Sequence, residues 1–289
     1  MPELRFAKGQ ALGNDYLVVD AADLPWPLTP PRIRAFCDRH RGAGSDGILV
    51  AELARGIRLR IYNPDGSEAE KSGNGLRIFA AYLHGRGLVG QDWFEVELVR
   101  DRVRLRVERT LAGGVLDVAA EMGRPSFRGD DVGFRPVPGD VIEHELELAG
   151  GEKVRVHPVS LANPHCVVFP RELRREDFLR QAPQLATHAA FAAGTNVQFA
   201  RVLGPDRLEA WIYERGAGET LASGSSACAV SAVAARLGLV AARRLTVEMP
   251  GGPVQIDLAA DGMVQLRGPA QIVYFGGIAA GVVEEWGRL

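Results

Sequence analysis

The strongest constraint on the fold is an internal repeat, because the second half of the sequence can be laid on the first at an offset of about 150 residues. LGNDYLVVD (12–20) matches LANPHCVVF (161–169), and SGNGLRIFAAYLHGRGLV (72–89) matches SGSSACAVSAVAARLGLV (223–240). Other matches follow in the same order with almost no drift. A solenoid would repeat every ~20–45 residues, so a repeat this long predicts two pseudo-symmetric lobes produced by duplication.

Each copy has the same predicted order of elements: a strand, a helix, two strands, a long apolar helix and two closing strands. The first helix is expected over residues 30–40 in one copy and 171–181 in the other. The long helix of the second copy contains ACAVSAVAARL (227–237), which is apolar on nearly all sides and so predicts burial all round. The sequence therefore predicts an α+β fold in which each lobe is a curled, mainly antiparallel sheet wrapped round a central helix.

The repeat also places the lobe boundary near residue 120. We expect an N-terminal lobe of residues 1–119 and a C-terminal lobe of residues 120–276, with the active-site cleft between them. The tail, residues 277–289, could return to the first lobe.

Composition excludes several classes of function. The net charge of −2 provides no basic surface for nucleic acid or an anionic membrane, and the sequence lacks an apolar run of about 18 residues or a signal peptide. We therefore expect a cytoplasmic protein that binds neither nucleic acid nor membrane. The three cysteines do not form a disulfide framework, and the six histidines lack metal-ligand spacing, so no metal site is predicted.

Chemistry is expected at the two turns that precede the long helices, Ser72-Gly73-Asn74-Gly75 and Ser223-Gly224-Ser225-Ser226. A helix N-terminus presents unpaired N–H groups and partial positive charge, and glycine lets a ligand approach the backbone closely. Either serine alone could be only an N-cap. Two turns at matched positions favour a pair of anion sites suited to a carboxylate.

Further polar residues lie at equivalent places in the repeat. Singly, each asparagine is more typical of a turn than of a ligand site. Grouped by the repeat, they would supply donors and acceptors for the charged groups of an amino acid. They are Asn14, Asn63, Asn163, Asn196, Glu214 and Arg215.

The motifs LGNDY, YNPDGSEAEKSGNG, ANPH, GTNVQF, YERGAGET and ASGSSACA, taken in this order, resemble those of the diaminopimelate epimerase family. The resemblance runs from Leu12 to Ala229. It implies two similar lobes with the active site between them, a homodimer and no cofactor. It also implies inversion of one α-carbon of LL- or meso-diaminopimelate, in lysine and cell-wall synthesis.

Carried over position by position, the resemblance implies a set of substrate-binding residues. Within this set the glycines and their neighbours would hold the reacting carboxylate. His165, in ANPH, matches a histidine near the site. The implied substrate-binding residues are Asn14, Asn63, Gly73, Asn74, Asn163, Asn196, Glu214, Arg215, Gly224 and Ser225.

The chain departs from the family at the two catalytic positions, where the family has cysteine and this sequence has Ser72 and Ser223. A thiol has a reference pKa of about 8.5, whereas an alcohol titrates far higher, so a serine base is scarcely available near neutral pH. We expect an isomerase of this family whose turnover is in doubt. In a divergent enzyme, Glu70, Lys71 or Glu219 could supply a base.

Three explanations of the serines stay open: natural divergence, engineering to trap a substrate complex, or loss of turnover. The alternatives to the epimerase are a catalytically silent amino-acid-binding homologue, and a racemase or dehydratase for another amino or imino acid.

Overall fold

The computed structural model describes residues 3–289 and divides them between two units, each with its own core. The first unit comprises the described residues of Met1–Ala120 together with Gly268–Leu289, and the second comprises Glu121–Arg267. The chain thus leaves the first unit, completes the second and returns.

The strands follow one another along both units. They are β1 Leu4–Ala11, β2 Asn14–Asp20, β3 Ile48–Glu52, β4 Arg58–Tyr62, β5 Glu68–Ala69, β6 Phe94–Glu97, β7 Arg102–Thr110, β8 Leu116–Gly123, β9 His144–Glu147, β10 Lys153–Ser160, β11 Pro164–Val168, β12 Asn196–Gly204, β13 Arg207–Glu214, β14 Gly218–Thr220, β15 Arg244–Met249, β16 Gly252–Leu258 and β17 Val264–Ile278. The α-helices are α1 Pro30–Cys37, α2 Gly73–Gly85, α3 Gly129–Val132, α4 Arg175–Ala186, α5 Gly224–Arg236 and α6 Ala280–Trp286.

In the first unit the strands pair in the order β1–β2–β3–β4–β6–β7–β8, and the short β5 pairs with β4. The β2–β3 and β4–β6 pairs are parallel and the others are antiparallel. Strand β17 pairs with β1 and also with β8, so the succession of pairings returns to its start.

The second unit repeats this pattern pair by pair. Its order is β10–β11–β12–β13–β15–β16–β17, with β14 on β13 and with β9 added to β10. The parallel pairs are β11–β12 and β13–β15, the equivalents of those in the first unit. The prediction of a duplicated α+β fold is therefore confirmed.

A buried helix lies against the sheet in each unit. In α2 every residue from Gly73 to Leu83 is buried, and in α5 every residue from Gly224 to Ala234. Helix α2 packs against β1, β2 and β7, and α5 packs against strands from β10 to β16. Small and apolar side chains allow this enclosure, and removal of apolar surface from water stabilises it by roughly 25 cal/mol per Å².

The shorter helices cover the opposite face of each sheet. In the first unit the Phe36 ring of α1 lies 5.5 Å from the Trp286 ring of α6, and Trp26 Nε1 donates a hydrogen bond of 3.2 Å to the Val283 carbonyl. In the second unit Phe178 of α4 packs edge-to-face on Phe199 at 5.6 Å. Helix α6 therefore belongs to the core of the first unit.

Both copies of the first helix differ from their predicted bounds, since α1 was expected over residues 30–40 and ends at Cys37. The second copy of the first helix was expected over 171–181, but α4 spans Arg175–Ala186. Glu176 and Asp177 fall in its first turn, where acidic side chains interact favourably with the helix dipole. No helix within residues 3–289 combines the length and the apolar character needed to span a lipid bilayer.

Candidate active site

The two predicted catalytic serines have the same backbone setting. Ser72 immediately precedes α2 with φ −137° and ψ 117°, and Ser223 immediately precedes α5 with φ −142° and ψ 123°. Both helices are 13 residues long. Each serine is thus the N-cap of a buried helix, and each first turn presents backbone N–H groups and the positive end of the helix dipole.

In the first unit, the Ser72 hydroxyl has two polar neighbours. Its Oγ accepts a hydrogen bond of 3.1 Å from the backbone N–H of Gly75, and the Tyr16 hydroxyl lies 3.3 Å away. Tyr16 is buried and Ser72 is partly buried. The serine therefore caps its helix while it contacts a phenol.

A chain of amides joins the predicted residues Asn14 and Asn74. Asn74 Nδ2 donates to Asn14 Oδ1 at 3.1 Å, and Asn14 Nδ2 donates to Asp46 Oδ2 at 2.9 Å. Behind them Arg77 donates to Asn74 Oδ1 at 2.8 Å, although its side chain is fully buried. Neighbouring groups thereby fix the orientation of both asparagine side chains.

Charged groups surround Asp46, the last member of this series of hydrogen bonds. Arg39 bridges Asp15 and Asp46 at 2.7 Å each, and Lys8 forms an ion pair with Asp15. Burial alone would raise the pKa of the Asp15 carboxyl, but hydrogen bonds from Arg39 and Lys8 outweigh it and hold that pKa below its ordinary value. This part of the site is ionic.

Asn63, also a predicted binding residue, lies in the turn between β4 and β5. Its Nδ2 donates to Ser67 Oγ at 3.0 Å, and its backbone N–H donates to the Ser67 carbonyl at 2.9 Å. In this structure the Asn63 side chain stabilises the turn that leads to Ser72.

The second serine turn differs in its side-chain contacts. Ser223 is 4% exposed, and its hydroxyl makes no capping hydrogen bond. Ser226 stands where the first unit has Gly75. A Cβ added at Gly75 would lie 3.3 Å from Ser72 Oγ, so a side chain at this position crowds the N-cap hydroxyl.

Buried neutral groups connect Ser226 to the predicted residue Asn163. Gln198 Nε2 lies 2.9 Å from Ser226 Oγ and 3.0 Å from His165 Nδ1, and His165 Nε2 lies 3.0 Å from Asn163 Oδ1. Burial, which penalises the charged form, lowers the pKa of His165 to about 3. The imidazole is therefore neutral at pH 7.

The other predicted residues of the second unit lie at the same edge of its sheet. Asn196 is the parallel partner of His165, and Glu214 ends the neighbouring strand β13. The Arg215 backbone N–H donates to Asn196 Oδ1 at 2.9 Å, and its guanidinium donates to the Ala193 carbonyl at 2.9 Å. Asn163, Asn196, Glu214 and Arg215 are thus brought to one edge.

Comparison with known proteins decides the family. The model of the family described as diaminopimelate epimerase matches residues 6–127 and 158–273, which are most of the chain. The chain belongs to the diaminopimelate epimerase family. Its members are isomerases, since epimerisation is an isomerisation, and the assignment confirms the resemblance seen in the motifs.

Individual relatives cover nearly the whole chain. Diaminopimelate epimerase 2 of Nostoc sp. is 43% identical over 264 residues, 89% of this chain and 90% of the relative. The diaminopimelate epimerase of Desulforudis audaxviator is 40% identical over 277 residues, 94% and 98% of the two chains. A hydroxyproline epimerase of Agrobacterium vitis, solved with trans-4-hydroxy-L-proline, has the same fold with a TM-score of 0.71, at 12% identity and over 96% of this chain and 93% of that one.

The other candidate bases of this epimerase-family chain are engaged in ion pairs. Lys71 Nζ lies 2.5 Å from Asp101, Glu70 lies 2.9 Å from Arg100, and Glu219 lies 2.5 Å from Arg175. Within the described part of the chain, no cluster of three or more histidine, cysteine or acidic side chains could hold a metal ion.

Sequence reasoning missed the residues that support the predicted ones. These are Tyr16, Arg39, Asp46, Arg77, Gln198 and Ser226. The repeat carried a usable signal for some of them, because Asp46 aligns with Asn196 and Tyr16 aligns with His165. Gln198 and Arg77 gave no such signal.

Proposed function

We propose that this chain is a cofactor-independent epimerase of diaminopimelate, with Ser72 and Ser223 at its two acid/base positions. The observation that carries the proposal is the pair of N-cap serines, set at matched backbone angles before two buried helices of equal length in a chain of this family. Each helix start supplies N–H donors suited to a carboxylate.

Inversion at a carbon needs one group to remove the α-proton and a second to return a proton on the opposite face. A serine hydroxyl is a far weaker acid than a thiol, so its alkoxide is rarely populated. The Gly75 N–H and the Tyr16 hydroxyl both lie within hydrogen-bond distance of Ser72 Oγ and can stabilise negative charge on it. We therefore expect slow proton removal at Ser72, and slower removal at Ser223.

The remaining polar residues are proposed to bind the substrate. The first turns of α2 and α5, with Gly73, Asn74, Gly224 and Ser225, would hold the reacting carboxylate. Asn14, Asn63, Asn163, Asn196, Glu214 and Arg215 would bind the other charged groups. An acidic and a basic side chain, adjacent at the end of β13, suit an ammonium and a carboxylate.

The test is α-proton exchange in deuterated water. LL- and meso-diaminopimelate are incubated with the wild-type protein, with the double variant Ser72→Cys plus Ser223→Cys, and with the matched double alanine variant, and α-protons are followed by NMR. We expect slow α-proton exchange in the wild type. The exchange rate should rise by at least about 100-fold in the cysteine variant, and the alanine variant should show no exchange. If the cysteine variant neither binds nor exchanges diaminopimelate, the substrate assignment is wrong.

Single cysteine variants test whether both serines serve one substrate. If they do, Ser72→Cys or Ser223→Cys alone accelerates exchange of one stereoisomer, and fast inversion of LL- to meso-diaminopimelate needs both. Fast inversion of diaminopimelate by either single variant contradicts the proposal. A double variant that exchanges the α-proton but does not invert the α-carbon contradicts it as well.

The second candidate is an amino-acid-binding protein without turnover, and the absence of a thiol at both positions favours it. Calorimetry separates the two: binding of an amino acid with no exchange supports this candidate, and exchange excludes it. The third candidate, a racemase or dehydratase for another amino or imino acid, would be identified by screening α-proton exchange over many amino acids.

The family resemblance also leads us to propose a homodimer. Its support is a run of exposed apolar side chains in β17: Val273, Tyr274 and Phe275 are 54%, 46% and 72% exposed. Sedimentation of the wild type and of Phe275→Asp tests it, with a dimer expected only for the wild type. The cytoplasmic location stays a prediction, to be checked by cell fractionation.

A further inference from the structure

We infer that Gln198 and Ser226 hold His165 in its Nε2-protonated tautomer and thereby turn the Asn163 amide so that its N–H₂ group is presented to the substrate. His165, Gln198 and Ser226 would then be positioning residues for Asn163. The assignment of Asn163 to the substrate rests on the proposed function, but the tautomer does not.

The tautomer follows from the donor inventory. An amide nitrogen only donates, and Gln198 Nε2 has two hydrogens and two neighbours, Ser226 Oγ at 2.9 Å and His165 Nδ1 at 3.0 Å. Nδ1 must therefore accept. A neutral imidazole that accepts at Nδ1 carries its proton on Nε2, which lies 3.0 Å from Asn163 Oδ1.

The amide orientation of Gln198 is supported by the groups left without partners. In the observed orientation, the buried atom of the Gln198 amide that has no hydrogen-bond partner within residues 3–289 is its carbonyl Oε1. The reverse orientation would instead bury the two N–H donors of Nε2. Unpaired buried N–H groups are rarer than under-satisfied carbonyls, so the observed orientation costs less.

The consequence for Asn163 is directional. Because its Oδ1 accepts from His165, its Nδ2 is left to donate, which suits a carboxylate or carbonyl oxygen of a substrate and not an ammonium group. The hydrogen-bond network begins at the Ser226 hydroxyl. The first unit has Gly75 at the equivalent position, which has no side chain, so the network occurs in the second unit and not in the first.

The decisive experiment is a long-range ¹H–¹⁵N correlation spectrum of the ligand-free protein at pH 7. The His165 signals are identified by their loss in His165→Gln. We expect Nε2 to be protonated and Nδ1 to be bare. A proton on Nδ1, in either the other tautomer or an imidazolium, overturns the inference whatever the substrate proves to be.

A second spectrum is recorded on a variant in which the group facing His165 Nδ1 is an acceptor instead of a donor. Gln198→Glu keeps the shape of the side chain but replaces the donating N–H₂ with a carboxylate oxygen, so we expect His165 Nδ1 to become protonated. An unchanged Nδ1 signal shows that Gln198 does not set the tautomer and overturns the inference. Gln198→Met, which has no donor, should give a mixture of tautomers; a single Nε2-protonated form in that variant also overturns it.

The binding experiment has a matched control on the same helix. Ser226 and Ser231 are both fully buried in α5, but the Ser231 hydroxyl lacks a hydrogen-bond partner in the described part of the chain. We expect Ser226→Ala to raise the dissociation constant of meso-diaminopimelate by about threefold to tenfold and Ser231→Ala to leave it unchanged. Equal effects of the two variants contradict the positioning role.

The experiments distinguish failure of the tautomer assignment from failure of the proposed function. If the spectra are as expected but neither the wild type nor any variant binds diaminopimelate, the proposed function is wrong and the tautomer assignment stands. If diaminopimelate binds but the spectra show a proton on Nδ1, the positioning role is wrong and the proposed function stands.

Discussion

The two serine turns share a backbone but differ in the chemistry around it. Ser72 and Ser223 have nearly the same dihedral angles and precede helices of equal length. Around Ser72 the supporting groups include Asp15, Asp46 and Arg39, which carry charge. Behind Ser226, in the second turn, the hydrogen-bonded groups are neutral: the amides of Gln198 and Asn163 and the imidazole of His165. Duplication has preserved the main chain, whose geometry the helix and sheet impose, while the side chains behind it have diverged.

The sharpest difference is at one pair of equivalent positions. Tyr16 and His165 occupy the same place in the repeat, near the start of β2 and near the start of β11. The Tyr16 hydroxyl contacts the N-cap serine of its own unit, whereas His165 contacts Asn163 and Gln198. The two half-sites are therefore expected to differ in reactivity, and the following experiments test that difference.

The largest expected effect concerns Arg77, the buried charge behind Asn74. Its guanidinium donates to Asn74 Oδ1 and to the carbonyls of Gly73 and Pro269. Arg77→Met should lower the free energy of unfolding by about 3 kcal/mol, because buried acceptors lose charged donors. The equivalent residue in the second unit is Cys228, and Cys228→Ala should cost only about 1 kcal/mol. Urea unfolding measures both; equal losses would contradict an ionic support confined to the first unit.

The two units should also lose stability in different pH ranges, because the lowered pKa values belong to a histidine in the second unit and to an aspartate in the first. His165 has a lowered pKa, so its contribution to stability is complete above the unfolded value of about 6.5 and is lost as pH falls toward its folded value of about 3. From pH 7 to pH 5 this amounts to about 2 kcal/mol. Asp15, also lowered, contributes above its unfolded value of about 3.9 and loses that contribution only below it.

Urea unfolding at pH 7 and pH 5 measures this loss, and His165→Gln is the control that removes it. His157, whose pKa burial also lowers, adds a loss of the same sign that the His165→Gln variant retains. A wild type that is equally stable at the two pH values would show that His165 is not buried in the neutral form.

A smaller effect is expected at Tyr16. Tyr16→Phe removes the hydroxyl that lies 3.3 Å from Ser72 Oγ and should slow α-proton exchange in the wild-type background by roughly tenfold. Tyr82→Phe, which loses a hydrogen bond to Asp20 in the same unit, is the control and should leave exchange unchanged. Equal rates for Tyr16→Phe and the wild type would remove the proposed difference between the half-sites.

The smallest expected effect is at Gly75. In Gly75→Ala the new Cβ would lie 3.1 Å from Leu49 Cδ2 and 3.3 Å from Ser72 Oγ, so the Ser72 cap should weaken as at Ser223. Loss of a cap costs about 1 kcal/mol, and alanine in place of glycine regains a similar amount. The net change in thermal unfolding should be within about 1 kcal/mol. A much larger loss would show that this position tolerates no side chain in the first unit.

Sequence reasoning predicted the fold because the repeat and the apolar helices are local patterns that a single chain displays. It also predicted Asn14 and Asn74, whose side chains are hydrogen-bonded to each other, and Asn196, which pairs with His165 at the start of β12. It did not predict Gln198, because a glutamine within a strand gives no sign that its amide is buried. It did not predict Arg77 either, since an arginine in a helix is usually exposed and only the enclosed helix buries it.

The course of β17 has a consequence for synthesis on the ribosome. Strand β1 lies between β2 and β17, so it keeps an open edge until Gly9 to Leu4 can pair with Ile272 to Ile278. The first unit therefore cannot complete its pairing until the residues of β17 have been translated, whereas the second unit is encoded as one continuous segment. A polypeptide truncated before Gly268 would keep every residue of the second unit but would leave β1 of the first unit with an open edge, which favours aggregation.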